Sequence, residues 1–301
     1  MTRKPPNSFI KWVGGKRQLA GQIISIFAEF GFDSTFGPYP GTYWEPFVGG
    51  GAVFYRVAER FARCRLSDIN DSLIDAYFAV KADPDGVVSR MRVHAEMHSP
   101  EYFLEQRDIY NGSSHGQGSY VDRGARLIYI MRACYNGKYH VLKNGKLGTT
   151  FGCQDKRIVY ADDIADCSAA LQHASVEACS FEDIRPGPGD IVYCDPPYYG
   201  TADVYTADGF SVEKHKTLAL CARAWRDAGA YVVLSNNDNQ FIRDIYSDCE
   251  IRVLYTYRYL CPGANKSRDI VVVMTPSTGA ARNMAFAAQD KNVAKGEQLS
   301  L

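Results

Sequence analysis

The chain lacks an excess of charge of either sign and any long apolar run. Its 301 residues carry 34 basic and 34 acidic side chains, a balance that counts against nucleic-acid binding unless the charge is unevenly distributed. No stretch approaches the ~20 apolar residues of a membrane-spanning helix, and the N-terminal MTRKPPNS lacks the apolar segment of a signal peptide. We therefore expect a cytoplasmic protein with no membrane partner.

Cysteine motifs are missing as well. The chain has nine cysteines and no C-x-x-C, which is typical of reduced thiols rather than of a disulfide framework. Cys167, His173 and Cys179 could be combined into a zinc site, but their spacing matches no common zinc-binding pattern. We expect no bound metal.

A complete G-x-G-x-x-G loop is also absent, which disfavours a ligand with a pyrophosphate, such as NAD or FAD. The chain has instead EPFVGGG at 45–51, between a predicted strand and a predicted helix. Asp68 follows about twenty residues later, where nucleotide-binding α/β folds place an acid that bonds ribose hydroxyls. The pair favours an adenosine-containing ligand without phosphate, and the alternative is a tight turn with an N-capping Asp.

A second motif, Asp195-Pro196-Pro197-Tyr198, follows the apolar run IVYC. The two prolines fix the backbone and remove two N–H donors, which leaves a carboxylate and a carbonyl as rigid acceptors. Such acceptors can hold the protons of a primary amine while its nitrogen becomes nucleophilic, and Tyr198 offers a flat face to a flipped base. A proline-rich turn is the alternative, but the carboxyl end of a buried strand is where open α/β sheets bind ligands.

A third motif is FIKWVGGK at 9–16. Its aromatic ring, two glycines and lysine could close over a cofactor, with Lys16 meeting a carboxylate. A basic N-terminal arm with a glycine hinge fits the same residues, so the segment alone leaves both interpretations open.

The order of the segments indicates a doubly wound α/β fold with a mostly parallel sheet, because strands alternate with helices at both ends of the chain. We expect the α/β domain at 1–82 and 166–275, including a helix over about 52–62. A stretch at 83–165, helical to about 135 and then loop and short strands, interrupts it as an inserted module, and the polar residues 276–301 are expected to be a disordered tail.

Basic charge is concentrated in two stretches, at 132–157 and 251–268, where tyrosines and a phenylalanine are interleaved with lysine and arginine. Cations neutralise phosphates, and aromatic rings stack or wedge where a base leaves the helix. Ordinary solvated loops are the alternative, but runs of one sign in a neutral protein favour DNA binding.

The ordered set of motifs resembles the Dam-like (D12 class) DNA adenine-N6 methyltransferases. It consists of F-x-K-W-x-G-G-K, E-P-F-x-G-G-G, D-I-N at 68–70 and D-P-P-Y, and the resemblance covers about residues 9–275. It implies a sheet of the S-adenosylmethionine-dependent methyltransferase type with an inserted DNA-recognition module. It also implies a bacterial or phage enzyme, a monomer, that moves the methyl group of S-adenosylmethionine to N6 of a flipped adenine in double-stranded DNA.

The resemblance also assigns site residues. Those expected to bind the donor are Trp12, Lys16, Phe47, Gly49, Gly51, Asp68 and Asp195. Those expected to act in catalysis are Asp195, Pro196, Pro197 and Tyr198.

Candidate DNA contacts come from the two basic stretches and from motif residues that match the family. They are Arg132, Tyr135, Asn136, Lys138, His140, Lys143, Lys146, Arg258, Lys266 and Arg268. Lys138 and His140 stand where family members that read GATC tend to have an apolar residue and an arginine, and Cys153 stands where an arginine is expected. The resemblance therefore does not carry GATC specificity over to this chain.

Three alternatives remain open. The first is methylation of N4 of cytosine or of adenine in RNA, although a serine in place of Asp195 would have favoured cytosine. The second is a dinucleotide oxidoreductase, which predicts the missing pyrophosphate loop, and the third is a non-catalytic DNA-binding protein, which the intact motif at 195–198 disfavours. Whether a cognate restriction endonuclease acts alongside the protein is also left open.

Overall fold

The computed structural model describes residues 5–32, 38–112, 118–153, 157–200, 209–259 and 264–277, with only the backbone described at 256–259 and 264–267. Most of the tail expected at 276–301 lies outside these ranges. Among the described helices, none is both long and apolar enough to cross a bilayer.

The described strands form one mixed sheet in the order β3-β2-β1-β4-β5-β7-β6. Strands β1 to β5 pair in parallel, whereas β7 runs antiparallel to both β5 and β6. The strands are β1 Tyr39–Glu45, β2 Phe61–Asp68, β3 Ala174–Ala178, β4 Ile191–Cys194, β5 Tyr231–Asn237, β6 Glu250–Tyr259 and β7 Ala264–Met274. This architecture confirms the predicted fold class.

Helices connect the strands and cover the sheet. They are α1 Ala20–Ala28, α2 Phe54–Val57, α3 Asp71–Ala82, α4 Pro84–Glu96, α5 Pro100–Tyr110, α6 Tyr120–Ala133, α7 Ala161–Leu171, α8 Val212–Asp227 and α9 Gln240–Ile245. Side chains of Asn70, Asp83, Ser99 and Ser119 accept backbone N–H groups at the starts of α3 to α6, which stabilises each helix start.

The strand order reverses between β1 and β4. The chain runs outward from β1 to β2 and β3, and then returns to place β4 on the other side of β1. Every residue of β4 is buried, as expected for a parallel strand with both faces covered. The carboxyl ends of β1 and β4 therefore meet at a topological switch point, where open α/β sheets bind ligands.

Two local expectations were wrong. The helix expected over 52–62 is one short turn at Phe54–Val57, followed by a 3-10 turn, and β2 already begins at Phe61. Phe61 is buried and stacks on Phe32 at 4.7 Å, so burial of an aromatic side chain in the sheet outweighs local helix propensity. Residues 161–165, expected to be irregular, form the first turn of α7.

The helices of the stretch 83–165 pack on the α/β domain rather than apart from it. At Gly124 of α6 an added Cβ would lie 2.8 Å from the Cβ of Ala79 and 3.1 Å from the Cα of Ala76, both in α3. The two helices therefore approach at a distance that only glycine allows, and their side chains belong to one continuous apolar core. That 83–165 works as a recognition module remains a prediction.

This close approach makes Gly124→Ala a sharp test of the packing. Alanine is the better helix former by about 1 kcal/mol, but overpacking a filled core costs about 1–3 kcal/mol. We expect Gly124→Ala to lower the free energy of unfolding, measured by urea denaturation. Gly21→Ala on α1, where no atom lies within 4 Å of an added Cβ, is the control and should raise it; stabilisation by both substitutions would contradict the packing.

Candidate active site

The glycine loop after β1 is held in a conformation that needs glycine. Gly49 and Gly51 have φ of 47° and 67°, and a Cβ at Gly51 would lie 2.7 Å from the Tyr77 hydroxyl. That hydroxyl donates to the Gly49 carbonyl at 2.9 Å. The left-handed backbone and the close tyrosine together fix the loop at the mouth of a cavity.

Asp68, at the end of β2, supports the same loop. Its carboxylate accepts the backbone N–H of Gly49 at 3.2 Å and that of Asn70 at 3.0 Å. Burial raises the pKa of Asp68 to about 6, although the backbone donors oppose that shift. The backbone N–H of Ile69 also contributes, and because a carboxylate has about four acceptor positions, capacity remains for a hydroxyl of a ligand.

The segment 195–198 leaves the end of β4 and is held by Lys16. The Lys16 ammonium lies 2.7 Å from Asp195 Oδ1, with the two side chains 9% and 18% exposed. It also donates to the Gly14 carbonyl at 2.9 Å and lies 4.5 Å from the centre of the Tyr198 ring. The carboxylate that Lys16 meets here is thus Asp195, so the arm and the Asp-Pro-Pro-Tyr motif form one cluster.

Further carboxyl groups surround this ion pair. Asp269, on β7, accepts the Tyr198 hydroxyl at 3.1 Å, and Glu45, the last residue of β1, accepts the Tyr43 hydroxyl at 2.6 Å. Burial raises the pKa of Asp195, Lys16 opposes that shift, and the charge of Asp269 adds to it. Burial also raises the pKa of Glu45 to about 8, so Glu45 is largely protonated near neutral pH.

The glycine loop, Asp68, the Lys16–Asp195 ion pair and the other carboxyl groups, Glu45 and Asp269, all line one cavity of about 950 Å³. This volume is typical of a small-molecule site. The cavity lies at the carboxyl ends of β1 and β4 and brings together the three motifs that the sequence singled out. The predicted donor and catalytic residues that line it are Trp12, Lys16, Phe47, Gly49, Gly51, Asp68, Asp195, Pro196, Pro197 and Tyr198.

Several other lining residues were not singled out from the sequence. Phe181 stacks on Phe47 at 5.4 Å, and Phe210 packs on both rings, which gives the cavity an apolar wall. Ile69 also lines the cavity and is 66% exposed. Ile69 could have been predicted from its position next to Asp68. Phe181 and Phe210 could not, because the loops that carry them contain no recognisable sequence motif.

Trp12 connects the cavity to the middle segment of the chain. Its indole stacks on Tyr139 with ring centres 4.8 Å apart, and a Cβ at Gly49 would lie 3.1 Å from it. Trp12 is therefore packed between the glycine loop and a residue next to the predicted DNA contacts.

Arg132 does not have the position expected of a DNA contact. Its guanidinium donates to the Phe9 carbonyl at 2.6 Å and lies 4.1 Å from the centre of the Tyr160 ring. Burial lowers the pKa of this arginine. Because its donors are used within the protein, Arg132 is placed to hold the arm at 9–16 rather than to neutralise a phosphate.

Most other candidate DNA contacts lie on a finger-like segment at 138–150 and the turn before it. The finger is closed by pairing of Val141 with Leu147. Tyr135 is 60% exposed and Asn136 is also exposed, so the turn presents both to solvent. Exposed lysines at this finger are Lys138, Lys143 and Lys146, and His140 is half-buried.

The candidates of the second basic stretch lie on β6 and β7. Arg268 is exposed and forms an ion pair with Asp238 at 2.9 Å. Arg258 is in β6 and Lys266 in β7, but their side chains lie outside the described residues. The contact of Trp12 with Tyr139 thus places the finger beside the cavity.

The strand order, with an antiparallel β7 between β5 and β6, and the cavity at the switch point define an α/β protein of the methyltransferase type. A family model described as D12 class N6 adenine-specific DNA methyltransferase matches residues 12–258, and the chain belongs to that family. The resemblance inferred from the motifs is therefore confirmed.

Relatives match along nearly their whole length. The Type II methyltransferase M1.LlaDCHI of Lactococcus lactis subsp. cremoris is 31% identical over 260 residues, which cover 83% of this chain and 88% of that protein. A DNA adenine methylase of Vibrio cholerae is 26% identical over 286 residues, covering 91% and 98%. A solved structure of a putative RNA methyltransferase from Pyrococcus horikoshii covers 91% of both chains at 8% identity, with a TM-score of 0.42.

The raised pKa of Glu45 predicts a pH dependence of stability. The folded protein keeps a proton on Glu45 up to about pH 8, whereas the unfolded chain loses it near its ordinary value of about 4.3. Stability from this group is therefore present at low pH and is lost as the pH rises through about 8. We expect the contribution of Glu45 to the free energy of unfolding to fall by up to about 2 kcal/mol between pH 6 and pH 8, while the buried His94 and His215, whose pKa burial lowers to about 4, change stability in the opposite direction.

Glu45→Gln should flatten this dependence, because the amide cannot ionise. The measurement is urea denaturation at a series of pH values in the absence of ligand. Glu59→Gln is the control, since Glu59 is exposed, and it should keep the slope of the unsubstituted protein. An unchanged slope in Glu45→Gln would show that another group titrates.

Proposed function

We propose that this enzyme transfers the methyl group of S-adenosylmethionine to N6 of an adenine that has flipped out of double-stranded DNA into the cavity. One observation carries the proposal: the Asp-Pro-Pro-Tyr segment and the loop formed by Gly49 and Asp68 face the same cavity. A site for an adenosine-containing donor and a clamp for an amine are thus adjacent.

The cavity residues fit S-adenosylmethionine. Asp68 retains acceptor capacity for a ribose hydroxyl, and the glycine loop lets a ligand approach the backbone closely because no Cβ intervenes. Trp12, Phe47 and Ile69 supply apolar and aromatic surface for an adenine ring. When bound, S-adenosylmethionine supplies an electrophilic methyl group on a positively charged sulfur.

The protein's own residues position and polarise the target amine. The Asp195 carboxylate and the Pro196 carbonyl accept the two N6 protons, and the Tyr198 ring stacks against the base. Flipping costs a few kcal/mol, which stacking and these hydrogen bonds offset. Alignment of the amine with the methyl carbon then lowers the barrier without a covalent intermediate or a cysteine nucleophile.

Lys16 has a double role in this scheme. Its ion pair with Asp195 favours the ionised carboxylate that the amine requires, against the burial that raises the pKa of Asp195. The Lys16 ammonium also contacts Oδ1 of Asp195. When the amino group of the target adenine binds, the ammonium must therefore move away or share this oxygen with it. The carboxylate of the donor's methionine part is a suitable new partner for the ammonium.

The finger at 138–150 and the preceding turn are proposed to contact DNA. Tyr135 and the exposed Lys138, Lys143 and Lys146 supply an aromatic ring and positive charge on one segment, the combination that binds phosphates and contacts bases next to an extruded one. We include Asn136, His140, Arg258, Lys266 and Arg268 in this surface, and we assign Arg132 to holding the arm instead.

We propose a monomer that acts in the bacterial cytoplasm without a metal, and no three His, Cys, Asp or Glu side chains of the described ranges are grouped as a metal site. The name of the Lactococcus relative, a Type II methyltransferase, supports a place beside a restriction endonuclease that acts independently.

Replacement of Asp195 tests the amine clamp. Asp195→Ala should reduce methyl transfer by at least about 10²–10³-fold, the typical cost of removing one preorganised electrostatic partner, while the far-UV circular dichroism stays unchanged. Transfer is measured with tritium-labelled S-adenosylmethionine, and mass spectrometry of the nucleosides identifies N6-methyladenine. Asp227→Ala, at the exposed end of α8, is the control; full activity of Asp195→Ala would remove the mechanism.

Replacement of Trp12 or Asp68 tests donor binding. Trp12→Ala and Asp68→Ala each should weaken S-adenosylmethionine binding about 10-fold or more, because a buried stacking surface or a charged acceptor is lost. Isothermal titration calorimetry measures the affinity. Asp71→Ala removes an exposed carboxylate three residues from Asp68 and should leave the affinity unchanged. Donor affinity that is equal in all three variants would place the donor elsewhere.

A further inference from the structure

Asp269 is a buried carboxyl group in the cavity wall that neither the amine clamp nor the donor site uses. It lies in β7, where it pairs with Asn237 of β5 and Leu254 of β6, and it is 4% exposed. Because Asp269 directly precedes the apolar run IVVV, the sequence alone would predict only a polar residue at the start of a strand. The fold instead brings it to the edge of the sheet where β4 ends, and it lines the cavity.

Asp269 contacts the catalytic segment. The Tyr198 hydroxyl donates to Asp269 Oδ2 at 3.1 Å, while the Lys16 ammonium lies 4.5 Å from the centre of the same ring. The ring is therefore held at its hydroxyl end by one charged group and at its face by another. Tyr198 is the residue of the segment that follows both prolines, and these two contacts help to orient its ring.

Burial of this carboxylate is costly. A charge removed from water destabilises the fold unless hydrogen bonds and opposite charge compensate, and an apolar residue would suit the core of β7 better. Asp269 also opposes ionisation of Asp195, the carboxylate that the reaction needs. Asp269 is thus unfavourable both for its own burial and for the ionisation of Asp195. A carboxyl group at this position despite both effects indicates that its hydrogen bond to Tyr198 has a specific role.

We propose that Asp269 is a positioning residue that fixes the Tyr198 ring in the orientation against which the target base stacks. The inference rests on the proposed function, since it assigns Tyr198 the role of a stacking plate. Asp269 touches no reacting atom and acts through the Tyr198 hydroxyl. The loss of either partner of this hydrogen bond therefore has the same consequence.

A double-mutant cycle tests this coupling. Asp269→Ala and Tyr198→Phe each should lower kcat about 10-fold, the effect expected from loss of a hydrogen bond to a charged group, and the double variant should show no further loss. Asp269→Asn keeps an acceptor oxygen of the same shape and should stay within about threefold of the unsubstituted enzyme. KM for S-adenosylmethionine should change little in all of them.

Tyr39→Phe is the matched control. It also removes a phenol donor, from a 2.9 Å bond to the Gly189 carbonyl, but Tyr39 is not among the residues that line the cavity. Its effect on kcat should be small and should add to that of Asp269→Ala. Urea denaturation of every variant shows whether a loss of activity comes from a loss of folded protein.

Several results would overturn the inference. They are additive losses from Asp269→Ala and Tyr198→Phe, equal loss in Asp269→Asn and Asp269→Ala, and failure of both Asp269 variants to fold. None of these affects the proposed function if the unsubstituted enzyme makes N6-methyladenine. If that enzyme instead methylates another acceptor, the proposed function fails, and the same cycle with the true acceptor still decides whether Asp269 acts through Tyr198.

Discussion

Parallel pairing of β1 with β4 is the constraint on which the site depends. Residues 45 and 195 are far apart in the chain, yet the two strands run side by side in the same direction and end at the same edge of the sheet. The glycine loop and the Asp-Pro-Pro-Tyr segment leave from these ends, so both line the same cavity. Because the strand order reverses at this pair, the connecting helices diverge and leave a cavity between the two loops.

Electrostatics then differentiates groups that the sequence presents as similar acids. Glu45 is buried without a cationic partner among the contacts that shift its pKa, accepts the Tyr43 hydroxyl and keeps its proton to about pH 8. Asp68 is buried but accepts backbone N–H groups, and its pKa rises only to about 6. Asp195 has an ammonium group at 2.7 Å, which favours its charged form. A neutral acid, a hydrogen-bond acceptor and an ion-paired carboxylate thus line one cavity, each because of its immediate neighbours.

The sequence predicted those parts of the site that depend on the chemistry of a short segment. Glycines that need a positive φ, prolines after a buried strand and an acid at the end of β2 each carry their own chemical signature, and all of them line the cavity. Groups defined by long-range packing gave no such signal. Asp269 looks like a strand start until β7 is placed beside β5, and Arg132 looks like a DNA contact until its bond to the Phe9 carbonyl is seen. Composition also failed to separate Phe61 of β2 from a helix, because its pairing with β1 and its stacking on Phe32 are contacts with distant parts of the chain.

The arm at 9–16 has no regular secondary structure to hold it, so its position comes from side chains of other segments. Arg132 of α6 bonds its carbonyl at Phe9, Tyr139 stacks on Trp12, and Asp195 pairs with Lys16. Two of these three supports come from the middle stretch of the chain, which also bears the exposed Tyr135 and the lysines of the finger. A rearrangement of that stretch must therefore alter the packing of Trp12 in the cavity wall, and a ligand that displaces Trp12 must act on Tyr139. The cavity and the finger are therefore coupled through this shared packing, whichever of them a ligand reaches first.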